Sequence, residues 1–389
     1  MITRIKNGLL VLPESIAENL YIYIENRKII NITDRELSFD KEIDAEGLYV
    51  SPGFIDMHAH GGGGYDFMDG GCEPIEKAAL FHLKHGTTSI LATSLACSTP
   101  VLIEFLRDLS AVMETKKAPN LMGAHLEGPY FSLSQSGAQN PDYIKEPDPR
   151  EYIAIIETGK GNIKKWSFAP ELSGVEDFCQ CILKAKIVPS VGHSDAVYSQ
   201  VKKIYDAGCQ SFTHLYSGMS TITREKGFRR LGVIESAYLL EDVQAEIIAD
   251  GKHLPPELLQ LIVKQLGADH IALVTDAMRG AGMPDGESLL GRKDEAMPCL
   301  IEDGVAKLLD KSAFAGSVAT ADRLVRTMVK EANVSLCDAV KMMTVNPAKL
   351  LNFREKGKLA ENFDADILFF DENINIKKIF VKGEEMAHF

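Results

Sequence analysis

Eight apolar runs of β type alternate with helix-compatible stretches between residues 49 and 277, and no other feature constrains the fold as strongly. In order they read YVSPGFIDMHAH, TTSILATS, LMGAHLEGP, KKWSFAPE, KIVPSVGHS, CQSFTHLY, AEIIADGKH and HIALVTDA. Strand and helix periods in alternation are the pattern of βα units around a parallel sheet, and eight such units close a (β/α)8 barrel of the TIM type.

Nearly every run begins apolar and ends in a side chain with chemical capability. His58 and His60 end the first, Glu127 the third and Glu171 the fourth; His193, His214, Asp250 with His253, and Asp276 end those that follow. The C-terminal strand ends of such a barrel surround one mouth, so these distant residues are expected to converge there.

The two ends of the chain read differently. Short β-rich runs such as LYIYIENRKIINI and DADILFFD predict a small β-sandwich built from both termini, residues 1–51 plus 357–389, beside a catalytic barrel at 52–356. A net charge of -13 without a Lys/Arg-dense block argues against nucleic acid or an anionic membrane as partner. No run reaches the roughly 18–20 apolar residues of a membrane span, and MITRIKNGLL does not read as a signal peptide, so a cytoplasmic location is expected. Seven scattered cysteines form no disulfide framework, and reduced thiols are expected; Cys179 and Cys181 lack a second pair at zinc-ribbon spacing.

His58 and His60 are two apart on a strand and face the same side, which allows both to address one metal. Such a pair alone fits polar strand capping equally well. With Glu127, His193 and His214 at the same predicted mouth, the donor set suits one or two divalent ions: zinc or iron first, with manganese or cobalt also compatible. Asp276 reads as a general base beside that centre, or as the cap of a following helix. His125 is either support for the site or a hydrogen-bonded barrel residue. His82 and His85 read as residues at a helix end, exposed or in contact with its dipole. His270 starts the last strand, at the far end of the barrel, and His388 lies in the tail. The GGGG at 61–64 reads as a segment that keeps side chains out of the mouth.

The motifs PGFIDMHAHG, HLEGPY, GAQNP, VGHSDA, THLYSGMS, IADGKH, LVTDAM, FAGS and KGKLAENFDADILFFD run in one order over nearly the whole chain. Together they resemble the amidohydrolase superfamily and, within it, the deacetylases of N-acetylglucosamine 6-phosphate. The resemblance implies that Glu127, His193 and His214 hold the principal metal, that His58 and His60 match a pair some members use for a second, and that Asp276 is the catalytic aspartate. It further implies substrate contacts at Ala138, Gln139, Ser217, Gly218 and His253, and a phosphate contact at Arg224 supplied across a homodimer interface. Members usually read Asn-Ala where this chain has Ser217-Gly218, which bears on the identity of the sugar more than on the chemistry.

The implied reaction is metal-dependent hydrolysis of the N-acetyl group of an acetamido sugar phosphate, giving acetate and the amino sugar phosphate. N-acetylgalactosamine 6-phosphate is an alternative substrate. A cyclic amidase or deaminase is a second enzyme reading, although Lys164 and Lys165 stand at the beginning of the fourth run, not at its end, where cyclic amidases commonly carry a carboxylated lysine. A silent barrel that senses sugar phosphate is a third.

Overall fold

The computed structural model describes residues 1–386, so His388 lies outside the described residues. Eight parallel strands, each paired with the next, form the barrel: β1 (Phe54–Ala59), β2 (Thr87–Ser94), β3 (Leu121–Glu127), β4 (Ile163–Phe168), β5 (Val188–Val191), β6 (Ser211–Phe212), β7 (Gln244–Ile247) and β8 (Ile271–Leu273). Each coincides with one of the apolar runs, β4 and β7 beginning one residue before theirs. Closure between β8 and β1 is made just beyond Leu273. Asp276 N–H donates to the His58 carbonyl at 2.8 Å and His60 N–H to the Ala277 carbonyl at 2.8 Å.

The alternation of side chains sorts each strand into an outer and an inner set. On β4, Trp166 and Phe168 join the outer apolar core, where both rings meet the edge of Phe178 at 5.0 and 5.3 Å. Lys165 and Ser167 take the opposite parity and are fully buried. At the mouth end of the interior, hydroxyls bond one another: Thr213 Oγ1 lies 2.7 Å from both Ser167 Oγ and Ser190 Oγ.

Both termini build two further sheets. One orders Lys28–Thr33, Tyr21–Glu25, Thr3–Lys6 and Lys41–Asp44; the other orders Glu384–Glu385, Ile376–Val381, Ile367–Phe370, Tyr49–Pro52, Leu9–Val11 and Ile16–Ala17. Ile367 and Phe369 pack with Ile5, Ile22 and Ile29 between the sheets, while Leu368 and Phe370 pack into the barrel's outer core. Burial on both faces explains why ILFF is continuously apolar where a half-exposed strand would alternate.

After β8 the chain adds an antiparallel sheet, Gly286–Leu290, Met297–Glu302 and Val305–Leu308, which the βα pattern does not announce. It brings Leu290 and the following Phe314 to the mouth. Among the described residues, no helix is long and apolar enough to cross a membrane, and the cysteines are unpaired.

Candidate active site

Glu127, the last residue of β3, is buried at the centre of a cluster of imidazoles. Its Oε1 lies 2.8 Å from Nε2 of His214, 3.2 Å from Nε2 of His193 and 3.4 Å from Nε2 of His58. Its Oε2 lies 3.3 Å from Nε2 of His60 and accepts a 2.6 Å bond from Gln139. Asp276 Oδ1 reaches His60 at 3.1 Å and His58 at 3.4 Å.

The backbone pays a local strain for this convergence. His193, His214 and Asp276 have φ of 46°, 29° and 48°, in the left-handed region that residues with a Cβ seldom adopt. Such conformations cost on the order of 1–3 kcal/mol each and cluster at functional sites. Here they turn each side chain inward where its strand has ended. His193 is further held by Nδ1, 2.9 Å from the Gln135 carbonyl.

The electrostatics follow from burying two carboxylates among imidazoles. Burial alone would raise the Asp276 pKa, but the charges of His58 and His60 outweigh it and carry the group down to about 2. Glu127 is likewise held well below its ordinary value against burial, by His58 and its other imidazole neighbours. Burial works against protonation of His58, yet Glu127 and Asp276 raise it to about 9. His60, opposed by burial and supported by the same carboxylates, rises to about 10. The site therefore calls for positive charge beside Glu127 and Asp276.

Divalent metal fits that demand. His58, His60 and Glu127 form one group of candidate ligand atoms lying within 4.8 Å of one another, and Glu127, His193 and His214 form a second. His58 Nε2 is buried without a hydrogen-bond partner while facing two carboxylates, as expected of a nitrogen meant to donate its lone pair. Imidazole and carboxylate together suit zinc, iron, manganese or cobalt.

A cavity of about 280 Å³ opens onto this cluster. His60, Glu127, Ala138, Gln139, His193, His214, Ser217, Gly218, His253 and Asp276 all line it, beside Tyr216, Leu290 and Phe314. His253 is oriented by Asp250, whose Oδ2 lies 2.9 Å from Nδ1, and its ring packs 4.6 Å from Phe314. Arg224 is not brought to the cavity: it lies on an exposed hairpin, Thr223–Glu225 with Phe228–Arg230.

Some residues take roles the sequence did not indicate. His82 is fully buried and donates Nε2–H to the Gly61 carbonyl at 2.8 Å, which corrects the expectation of a helix-end residue in solvent or on the dipole. His125 is a hydrogen-bonded barrel residue, 2.7 Å from Ser167 Oγ, with its ring 4.5 Å from that of His58. The glycines at 61–64 are absent from the cavity lining; Gly61 and Gly62 instead pair with Asp66 and Tyr65 in a tight hairpin. A Cβ on Gly61 would lie 2.2 Å from the Tyr65 carbonyl oxygen, and one on Gly62 2.3 Å from the Phe81 ring, so close approach is what demands glycine. Lys165 and Glu246 are fully buried in the interior, where the sequence alone gives neither a role in the site. Their inward parity on apolar strands was the available signal.

Residues 49–386 match the amidohydrolase family. The chain is 32% identical to N-acetylglucosamine-6-phosphate deacetylase of Lysinibacillus sphaericus, with 97% of this chain and 96% of that protein covered. It is 29% identical to N-acetylgalactosamine-6-phosphate deacetylase of Escherichia coli O157:H7 over 88% of each. Among solved structures, N-acetylglucosamine-6-phosphate deacetylase of Thermotoga maritima superposes with a TM-score of 0.86 at 30% identity, covering 99% of both chains. A mutant of the Mycobacterium smegmatis enzyme in complex with N-acetyl-D-glucosamine-6-phosphate gives a TM-score of 0.88 at 28% identity, covering 99% of this chain and 98% of that one.

Proposed function

The chain belongs to the amidohydrolase family, and from that premise we propose that it hydrolyses the N-acetyl group of N-acetylglucosamine 6-phosphate, releasing acetate and glucosamine 6-phosphate. The observation that carries the reading is the meeting of His193 and His214 on one oxygen of Glu127, with Asp276 and His60 beside them at the floor of a sugar-sized cavity and His58 buried behind them.

Glu127, His193 and His214 would hold the principal ion, and His58 and His60, with Glu127, would hold a second; zinc or iron is the expected metal. Bound there, the metal supplies Lewis acidity, which makes water nucleophilic near neutral pH and polarises an amide carbonyl. Asp276, a carboxylate of a type ordinarily ionised near neutral pH, takes the proton from the attacking water. The same carboxyl then hands that proton to the nitrogen of the departing amine. His253, with Nδ1–H directed to Asp250, presents Nε2 to accept from a sugar hydroxyl. Ala138, Gln139, Ser217 and Gly218 supply the wall against which the acetamido sugar is oriented.

Among the described residues, those lining the cavity include no lysine or arginine. A phosphate therefore needs a cation from elsewhere, which supports Arg224 of a second copy in a homodimer. The exposed hairpin that carries Arg224 also exposes Ile222 and Phe228, 51% and 79% accessible, as an apolar surface for such a contact. We place the enzyme in the cytoplasm and take residues 52–356 as the catalytic unit, with 1–51 and 357–389 as the small β domain.

A second substrate has this support: the resemblance implies an Asn-Ala pair where this chain has Ser217-Gly218, and a relative is named N-acetylgalactosamine-6-phosphate deacetylase. Acetate release from a panel of N-acetylated hexosamines, with and without the 6-phosphate and with metal content measured, tests both. Absence of acetate release from every acetamido sugar by metal-loaded protein would overturn the reading.

A further inference from the structure

Lys165, on the inward face of β4, is fully buried, and its ammonium pairs with Oε1 of Glu246 on β7, which is equally buried. The other oxygen of Glu246, Oε2, lies 3.3 Å from Nδ1 of His58. At the far side of that ring, Nε2 stands 3.4 Å from both Glu127 and Asp276. The three side chains form one line from the barrel interior to the candidate metal centre. Neither Lys165 nor Glu246 lines the cavity, so neither meets substrate.

A buried ion pair is a poor source of stability, because desolvation of both ions consumes most of their attraction and apolar replacements of similar volume are often tolerated. Its presence here calls for another explanation. A carboxylate that accepts Nδ1–H fixes the imidazole as the tautomer with a bare Nε2 and stops the ring from turning, which is how ligating histidines are oriented in metal sites. Glu246 can serve in this way only if its own charge is compensated, since Glu127 and Asp276 already crowd negative charge on the other side of the ring. Lys165 supplies that compensation and holds Glu246 in place.

We propose that Lys165, acting through Glu246, is a positioning residue for His58 and sets the affinity of the ion that His58 and His60 share with Glu127. The proposal rests on the metal-dependent reading above. Lys165 on this view is a structural cation with its ammonium committed to Glu246, and not a bridging ligand.

The test is a zinc titration of metal-stripped full-length protein against a competing chromophoric chelator, comparing wild type with Lys165→Met/Glu246→Leu. The double variant removes both charges together and leaves no uncompensated buried ion, which favours folding; thermal unfolding checks that it folds. Expected is a fall of about 10–100-fold in affinity for the His58-dependent ion, with partial recovery in Lys165→Met/Glu246→Gln, whose amide oxygen can again accept from His58. Should the leucine variant not fold, the glutamine variant alone carries the test, and must still bind the ion more weakly than wild type. Folded variants that bind every ion as tightly as wild type overturn the proposal while leaving the metal reading intact. A wild-type protein that takes up no ion overturns both.

Discussion

Gln139 donates its side-chain Nε2–H to Oε2 of Glu127 at 2.6 Å, while its own Oε1 accepts from the Ala96 N–H at 2.8 Å. The loop that covers the cavity is thereby tied to the carboxylate at its centre. Gln139→Leu keeps most of the volume and removes both bonds. Metal affinity is expected to fall about 10–100-fold, as for loss of other groups that orient ligands. Chelator competition measures it, and an unchanged affinity would limit Gln139 to substrate contact.

Asp276→Asn retains size but can neither accept the water's proton nor return it. Turnover is expected to drop by at least about 10²-fold, the lower range for general acid–base catalysis, with bound metal unchanged. Acetate release paired with elemental analysis decides the matter. Retained turnover in metal-replete protein removes Asp276 as the base.

Gly218 has a φ of +56°, and a Cβ added there would lie 2.8 Å from Nδ1 of His193 and 3.0 Å from the Gln135 carbonyl oxygen. Gly218→Ala is expected to displace His193 and cost about 1–3 kcal/mol. Activity and metal content should fall further than in Ser217→Ala. Urea unfolding and metal analysis report both effects; equal behaviour of the two variants contradicts the argument.

Arg224 is exposed on its hairpin, so Arg224→Ala should leave the thermal transition of the barrel unchanged. Its expected effect is on KM, with loss of the preference for phosphorylated over unphosphorylated acetamido sugar. Steady-state kinetics on the two substrates provide the check. A preserved preference excludes Arg224 from phosphate binding.

His82 supplies a pH dependence of stability. Burial, only partly offset by its bond to Gly61, draws its pKa down to about 4. In the unfolded chain the ring titrates near 6.5. Between those values the unfolded state binds more protons, so this contribution is present in full above about pH 6.5 and is lost as pH falls through 4. The shift corresponds to about 3 kcal/mol. His82→Gln keeps an N–H donor for Gly61 without titrating, and its stability curve from pH 7 to 4 should be flatter than that of wild type. Parallel curves would assign the acid sensitivity elsewhere.

The sequence made the barrel legible because each strand carries its own apolar run, and a polar residue at a strand's C-terminal end can stand only at the mouth. His58, His60, Glu127, His193, His214 and Asp276 were found on that logic, which requires no knowledge of side-chain packing. Lys165 and Glu246 were not found, since a charge inside an apolar run gains its meaning from a partner eighty-one positions away. His82 was misread because helical spacing shows which face a residue occupies but not what packs on it. The sheet at 286–308 went unseen because its strands pair locally, outside the βα rhythm, and it carries Leu290 to the cavity. The strain at His193, His214 and Asp276 is likewise absent from composition, as none of the three is glycine.

The hydrogen bonds that shut the barrel join residues 58 and 60 to residues 276 and 277. The proposed base thus lies just past the eighth barrel strand and meets its partners on the first. On the reading proposed above, a chain ending before residue 276 carries every imidazole of the centre, together with Glu127, but lacks the group assigned to move the proton. Barrel closure and assembly of the proposed catalytic set then rest on the same few residues.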